Sequence, residues 1–310
     1  MFILNSIAPI FLLIALGKLL QKCGFLPEAF FKSLNRFVFW IALPALLISR
    51  ISVSPLDPET ISQIVLLFSA GTLLSLAIAW GISRILKLPK PSCGSFIQGS
   101  FRGNGAFVGL PVIIYSLGTL DPKAEALATL ILAPVVILFN ILGVIVLTHY
   151  SQEQRGTAKS VQLFLKELIK NPLILACAVG LVLNVFDLTL PPFIYRPLDA
   201  LGHSALALIL LSIGAGLKIK KVQGAASPSL IASLLKTVLT PAIGFLIAGL
   251  FDLDTTGKMI AIFYLACPAA GMSYVMAEVM HNDGPLAGRI VALSTLISAI
   301  TLPIIIAIGL

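Results

Sequence analysis

The residues best suited to chemistry lie in one short stretch, "GSFRGNGAFVGLP", from Gly99 to Pro111, set inside a long apolar run. It holds a cation, Arg102, a neutral donor and acceptor, Asn104, and a set of helix interrupters: Gly99, Gly103, Gly105, Gly109 and Pro111. Glycine in a helix interior costs about 1 kcal/mol relative to alanine and proline about 3, so the run reads as two half-helices parted between roughly Arg102 and Phe107. At membrane depth such a break is tolerated where the unwound backbone lines a protein cavity rather than lipid. Arg102 lies about ten residues into its span, near the bilayer centre, where a charge costs at least about 2.5–3.5 kcal/mol. Two uses fit it. It holds a transported anion, helped by the N–H groups and positive dipole end of the half-helix starting near Phe107, or it pairs with a carboxylate or carbonyls to tie helices together.

A second stretch, "CPAAGMSYVMAE" from Cys267 to Glu278, repeats the design: Pro268 and Gly271 form a break, and Ser273, Tyr274 and Glu278 follow it. Glu278 sits about two turns beyond, placed either as a proton or cation site or as a group reaching the headgroups. Other chemistry finds no residues. His149, His203 and His281 do not form His-Glu-x-x-His, and no acidic pair recurs within the spans. Cys23, Cys93, Cys177 and Cys267 lie far apart with no Cys-x-x-Cys spacing, and "GNGAFVG" fits neither a dinucleotide nor a Walker pattern. Neither an enzyme activity nor a cofactor or metal is expected.

The elements that must position these stretches belong to a bilayer. The chain is 58% hydrophobic and 11% charged, against about 45–50% and about 25% in soluble domains. Apolar windows give about ten spans: Ile3 to Leu20, Leu34 to Ile51, Ile61 to Leu86, Ser92 to Leu117, Ala124 to Thr148, Leu168 to Phe186, Ile194 to Leu217, Leu230 to Phe251, Lys258 to Met280 and Leu286 to Gly309. The first has no basic residue before its apolar core and Lys18 and Lys22 after it, the reverse of a secretory signal, so it reads as a retained span.

Loop charge sets the orientation. Lys22, Lys32 and Arg36, then Arg84, Lys87 and Lys90, then Lys159, Lys166 and Lys170, then Lys218, Lys220 and Lys221 fall in alternate loops, which face the cytoplasm by the positive-inside rule. The loops between them are acidic, so both termini are expected outside a cell (inner or plasma) membrane. The net charge of +8 is explained by this topology, and a nucleic-acid partner is not expected.

The polar segment "HYSQEQRGTAKSVQLFLKELIK" divides the spans about five and five. "APIFLLIALGKLL" from Ala8 matches "NPLILACAVGLVL" from Asn171 in one register, and the two glycine- and proline-broken stretches fall at corresponding places. A repeat with an odd number of spans inverts its second copy, the plan of secondary transporters. The expected fold is an all-α membrane protein of about ten transmembrane helices in a five-plus-five inverted repeat, with broken, crossing fourth and ninth helices. Residues 1–150 would be the first repeat, 151–167 a cytoplasmic central loop and 168–310 the second repeat, in one membrane domain. Within the spans, Arg50 and Lys18 are expected to snorkel, Gln98, Asn140, Asn184 and Thr240 to bond between helices, and Pro44, Pro134, Pro241 and Pro303 to kink them.

"RGNGAFVGLPV" from Arg102, "CPAAGMSYVMAE" from Cys267, "LNRFVFWIALPALLISRI" from Leu34 and "ALSTLISAITLP" from Ala292 together resemble the auxin efflux carrier family, along essentially the whole chain. The resemblance implies a fold similar to bile acid sodium symporters and sodium–proton antiporters, with a scaffold part and a transport part in which Asn104 through Pro111 cross Pro268 through Ser273. It implies a secondary transporter moving a small organic anion, a carboxylate or an auxin-like acid, by alternating access. Asn104 would contact a carboxylate, whereas the second crossing reads Ala270-Gly271-Met272 where another asparagine would stand. The candidate substrate site is Arg102, Asn104, Gly105, Pro111, Pro268, Gly271, Ser273 and Tyr274, with Glu278 as the candidate coupling residue. Symport with H+ or Na+, antiport and uniport all fit the sequence, and a homodimer is what similar carriers would suggest. The rival reading is a non-transporting membrane sensor or binding protein that uses the same broken-helix pocket.

Overall fold

The computed structural model of the chain describes residues 2–55, 57–151, 170–216 and 226–309. Lys159 and Lys166 of the central loop, and Lys218, Lys220 and Lys221, lie outside the described residues. Among those described, the chain is helical without a strand. We label the helices α1 (Phe2–Lys22), α2 (Glu28–Ile51), α3 (Pro58–Ile85), α4 (Lys90–Phe101), α5 (Gly105–Leu117), α6 (Lys123–Tyr150), α7 (Pro172–Val185), α8 (Pro192–Gly216), α9 (Ser227–Ala248), α10 (Thr255–Ala266), α11 (Met272–Val279) and α12 (Gly284–Gly309). Within the described residues, six of these, α2, α3, α6, α8, α9 and α12, are long and apolar enough to cross a membrane.

Three of the helices open into a π turn: α2 at Val38–Ala42, α5 at Gly105–Gly109 and α9 at Leu235–Leu239. Each turn ends two residues before a proline, Pro44, Pro111 or Pro241. Proline brings no N–H and its ring collides with the carbonyl four residues back. Widening the preceding turn moves that carbonyl away, and the ladder continues as Leu43 N–H to Val38 O and Thr240 N–H to Leu235 O. Pro134 and Pro303, by contrast, sit inside uninterrupted α-helix.

The chain forms two compact units, each assembled from separate stretches: Met1–Ile61, Ala106–Pro134 and Leu168–Ile219 in the first, Ser62–Gly105, Val135–Glu167 and Lys220–Leu310 in the second.

In the first unit α8 packs against α1 and α2, and α7 against α2. Glycines bring backbones together there. A side chain at Gly17 would run into the Leu211 carbonyl of α8, and one at Gly214 into the Ile14 carbonyl of α1. Small residues permit this close approach where lipid supplies no hydrophobic drive between helices. Asn184 of α7 donates to the carbonyls of Ile51 (2.9 Å) and Ser54 (2.8 Å), satisfying acceptors at the end of α2. Arg50, placed near a helix end, finds carboxylate partners within the protein. Its Nε donates to Glu125 Oε1 of α6 at 2.7 Å and its Nη2 lies 3.5 Å from Asp199 Oδ1 of α8, so two carboxylates within reach hold it in the protein.

These contacts predict that Gly17→Val or Gly214→Val destabilises the protein by about 1–3 kcal/mol or more, because the collision is with backbone. Gly81→Ala, where the added methyl meets nothing within 4 Å, is expected to hold or raise stability. Thermal unfolding of the purified variants in detergent checks the contrast.

Candidate functional site

The residues of the two helix interruptions lie in the second unit. The helical ladder stops at Phe101, resumes at Gly105, stops again at Ala266 and resumes at Met272. The two gaps meet. Gly103 and Ala269 form an isolated antiparallel bridge, with Asn104 N–H donating to Pro268 O at 2.8 Å and Ala270 N–H to Arg102 O at 3.2 Å. Ser294 Oγ of α12 accepts from the Ala269 N–H at 3.0 Å. Backbone groups that leave a helix inside a membrane protein must find partners, and here they find one another.

Side chains around the bridge keep it narrow. A methyl on Gly105 would stand 3.2 Å from the ring of Tyr264 and 3.3 Å from Val135. Phe68 packs edge-on against Phe139 (5.2 Å) and Tyr264 (6.4 Å), closing the apolar flank.

Arg102 is 6% exposed. Its Nη2 donates to Asn140 Oδ1 of α6 at 2.7 Å and its Nη1 meets Met276 Sδ of α11. With the Gln98 amide turned to satisfy both of its ends, Gln98 oxygen accepts from Arg102 Nη1 and Gln98 nitrogen donates to Ser273 O, each at 3.2 Å. Room for the guanidinium comes from α6, where a methyl on Gly143 would lie 3.2 Å from Nη1. The arginine therefore joins α4, α6 and α11 through neutral polar groups.

The other expected residues divide. Asn104, half-buried, and Pro268 are in the bridge itself, and Gly105 begins α5 directly after it. Gly271 is exposed, with open space where a side chain would be. Ser273 is buried at the start of α11 and its Oγ has no hydrogen-bond partner, while Tyr274 is 45% exposed. Pro111 is buried farther along α5, in the first unit, beyond the π turn. Glu278 stands apart at the far end of α11. It shares an open polar pocket of about 480 Å³ with Pro89, Pro91, Ser92, His281, Asn282 and Asp283.

One more cation is at the crossing. Lys236, on the π turn of α9, is fully buried, and its Nζ donates to Leu265 O near the end of α10. A methyl on Gly103 would stand 3.2 Å from Lys236 Cε and 3.3 Å from Nζ, and 3.3 Å from Cys267 Cβ. Gly103 thus carries no side chain where backbone, lysine and cysteine converge.

The membrane transport protein family, which holds the auxin efflux carriers, matches residues 2–306. The chain belongs to this family. It is a multi-pass membrane transporter. Uncharacterized transporters of Methanocaldococcus jannaschii and Methanothermobacter thermautotrophicus are 25% and 24% identical to it, over 94% and 97% of this chain and 94% and 96% of their own lengths.

Sequence reasoning passed over two parts of this transporter's crossing. Lys236 lies well inside the apolar run Leu230 to Phe251, and an intramembrane lysine carries the same signal as Arg102. Gly143 gives no such signal, since only the fold brings it against the guanidinium.

The contacts of Arg102 yield a prediction. Asn140→Ala removes a 2.7 Å partner of a buried cation, and is expected to cost about 1.5–3 kcal/mol. Gly143→Val should lower stability by crowding the same group. Both are read as a fall in the unfolding temperature of the purified protein.

Proposed function

We propose that this transporter is a secondary carrier that moves a small organic carboxylate across the cell membrane by alternating access, with both termini outside. The observation that carries the reading is the paired break: residues 102–104 and 268–270 bond to each other, which brings the N-terminal ends of two half-helices, α5 and α11, next to it. Those ends carry partial positive charge and N–H groups suited to an anion. Arg102 adds a full charge beside them, Asn104 a half-buried amide, and Gly271 open space. In this reading Arg102 attracts the anion, Asn104 orients its carboxylate, and Ser273 and Tyr274 supply hydroxyls.

Counting each interrupted pair as one span gives about ten, consistent with two inverted repeats of five, 1–150 and 168–310, around a central loop at 151–167. The coupling ion, if there is one, would be H+ or Na+. Glu278 fits a peripheral part in coupling better than a direct contact with substrate, since its pocket is formed with Ser92, His281 and Asp283.

Purified protein in liposomes, offered labelled malonate, tests the proposal. Saturable uptake is expected. Arg102→Ala and Asn104→Ala, each shown to be folded, should raise the half-saturating concentration, by about tenfold or more for Arg102 since a charge-assisted contact is worth about 1.5–3 kcal/mol. Uptake unchanged in a folded Arg102→Ala would make the arginine a helix tie. Failure to transport any of a panel of carboxylates, or to be stabilised by them, would overturn the substrate class.

A further inference from the structure

A separate charged cluster lies in the first unit, where the end of α2, the first turn of α6 and the first half of α8 come together. Arg50 is its centre. Nε donates to Glu125 Oε1 at 2.7 Å, while Nη2 reaches His203 Nε2 at 2.7 Å and lies 3.5 Å from Asp199 Oδ1. A guanidinium has only donors, so His203 Nε2 must be the acceptor. The single proton of the ring then sits on Nδ1, which donates to the Asp199 carbonyl one turn back at 2.8 Å. The contact with Arg50 therefore exists only with a neutral His203 in this one tautomer.

The cluster is also one positive charge short, since a single guanidinium serves two carboxylates. Asp199 Oδ1 is buried without a hydrogen bond, 3.5 Å from both Arg50 Nη2 and His203 Nδ1. The imidazole itself is exposed, so water can reach it. A proton arriving there can enter only at Nε2, where it meets Arg50 Nη2 donor to donor. The imidazolium keeps its place beside Asp199 and gives up the guanidinium, which is left on Glu125. No further titratable side chain competes from the helices packed on α8: α2 brings Arg50, and α1 brings none before Lys18. On α8 itself, Arg196 precedes Asp199 by three residues.

We propose that His203 is the proton site of a latch joining α2, α6 and α8, closed while the imidazole is neutral and accepts from Arg50, and loosened when it binds a proton. What the latch holds is the first-unit end of α6, the helix whose later residues Asn140 and Gly143 face Arg102. The partly exposed Arg50–Glu125 pair left behind is a weak tie by itself. In the orientation proposed above the cluster faces outside, so acid there works the latch. That placement alone rests on the carrier reading, and the test uses no substrate.

The purified full chain, without a histidine tag, is prepared with isotope-labelled histidine and titrated by NMR from about pH 8 to about pH 5. His203→Gln assigns the signal. At the high end His203 is expected as the Nδ1–H tautomer, the less common one for a free imidazole, and at the low end as the doubly protonated ring. Hydrogen exchange of residues 127–133 in α6, corrected for the intrinsic effect of pH, should quicken about threefold or more across the same range. His203→Gln offers Arg50 an amide oxygen at every pH, so its exchange should stay slow throughout, whereas that of Arg50→Met should be fast throughout.

If Arg50→Met does not fold, wild type and His203→Gln decide. An Nε2–H tautomer at the high end, a His203 that takes up no second proton by about pH 5, or exchange in α6 with the same pH dependence in His203→Gln as in wild type, overturns the proposal.

Discussion

The structure depends on how two interrupted helices keep their backbone groups bonded within a protein that lies in lipid. An unsatisfied N–H or C=O there costs several kcal/mol, so a single break would be expensive. Two breaks placed together can each serve the other: Asn104 donates to Pro268, Ala270 donates to Arg102, and Ser294 and Lys236 take the N–H and the carbonyl that remain between Leu265 and Ala269. The requirement propagates outward. Gly103 and Gly105 must lack side chains so that the strands of the bridge and the rings of Tyr264 and Phe68 can close on it. Thr240 Oγ1, on the helix that carries Lys236, donates to Ser100 O at 3.5 Å, just before the first break.

Prolines act here through the turn that precedes them. Pro44, Pro111 and Pro241 each follow a π turn, and each π turn rotates the residues after it relative to an ideal helix. In α9 the effect is specific: Lys236 is the second residue of its π turn, so the direction in which the lysine leaves the helix is set by a proline five residues on. A kink was legible from the sequence at Pro44 and Pro241, and an interruption at Pro111; the change of helical pitch was not, because it depends on which carbonyl the ring would strike.

Composition and the glycine–proline clusters made the membrane setting and both interruptions legible, since several helix breakers close together in an apolar run make an unbroken helix costly at that point. The limits of the breaks were less so. The first spans Arg102 to Asn104, ending short of Phe107, because the wide π turn from Gly105 restores helical bonding in a segment whose glycines argue against it. The partners of Arg50 were hidden for a different reason. Near a helix end a basic side chain can reach the headgroups, and only the fold reveals that Glu125 and Asp199, far away in sequence, compete for it. For the same reason the helix-to-helix bonds of Gln98, Asn140, Asn184 and Thr240 were foreseeable in kind, whereas their partners were not. Lys236 was visible as a residue type and was passed over.

The way the chain passes between its two compact units bears on how a carrier of this kind would move. Among its several passages, it leaves the second unit between Gly105 and Ala106 and returns to it between Pro134 and Val135. The first passage comes one residue after the interruption of α4 and α5, inside a π turn. The second falls at Pro134, which cannot donate to the carbonyl four residues back in α6. Both passages therefore occur where the helical ladder already lacks a bond, and bending there breaks fewer hydrogen bonds than bending a complete α-helix. In the proposed alternating-access cycle the chain must flex somewhere without disturbing the bridge of Gly103 and Ala269. That bridge, with Arg102 and Lys236 beside it, is contained wholly in the second unit.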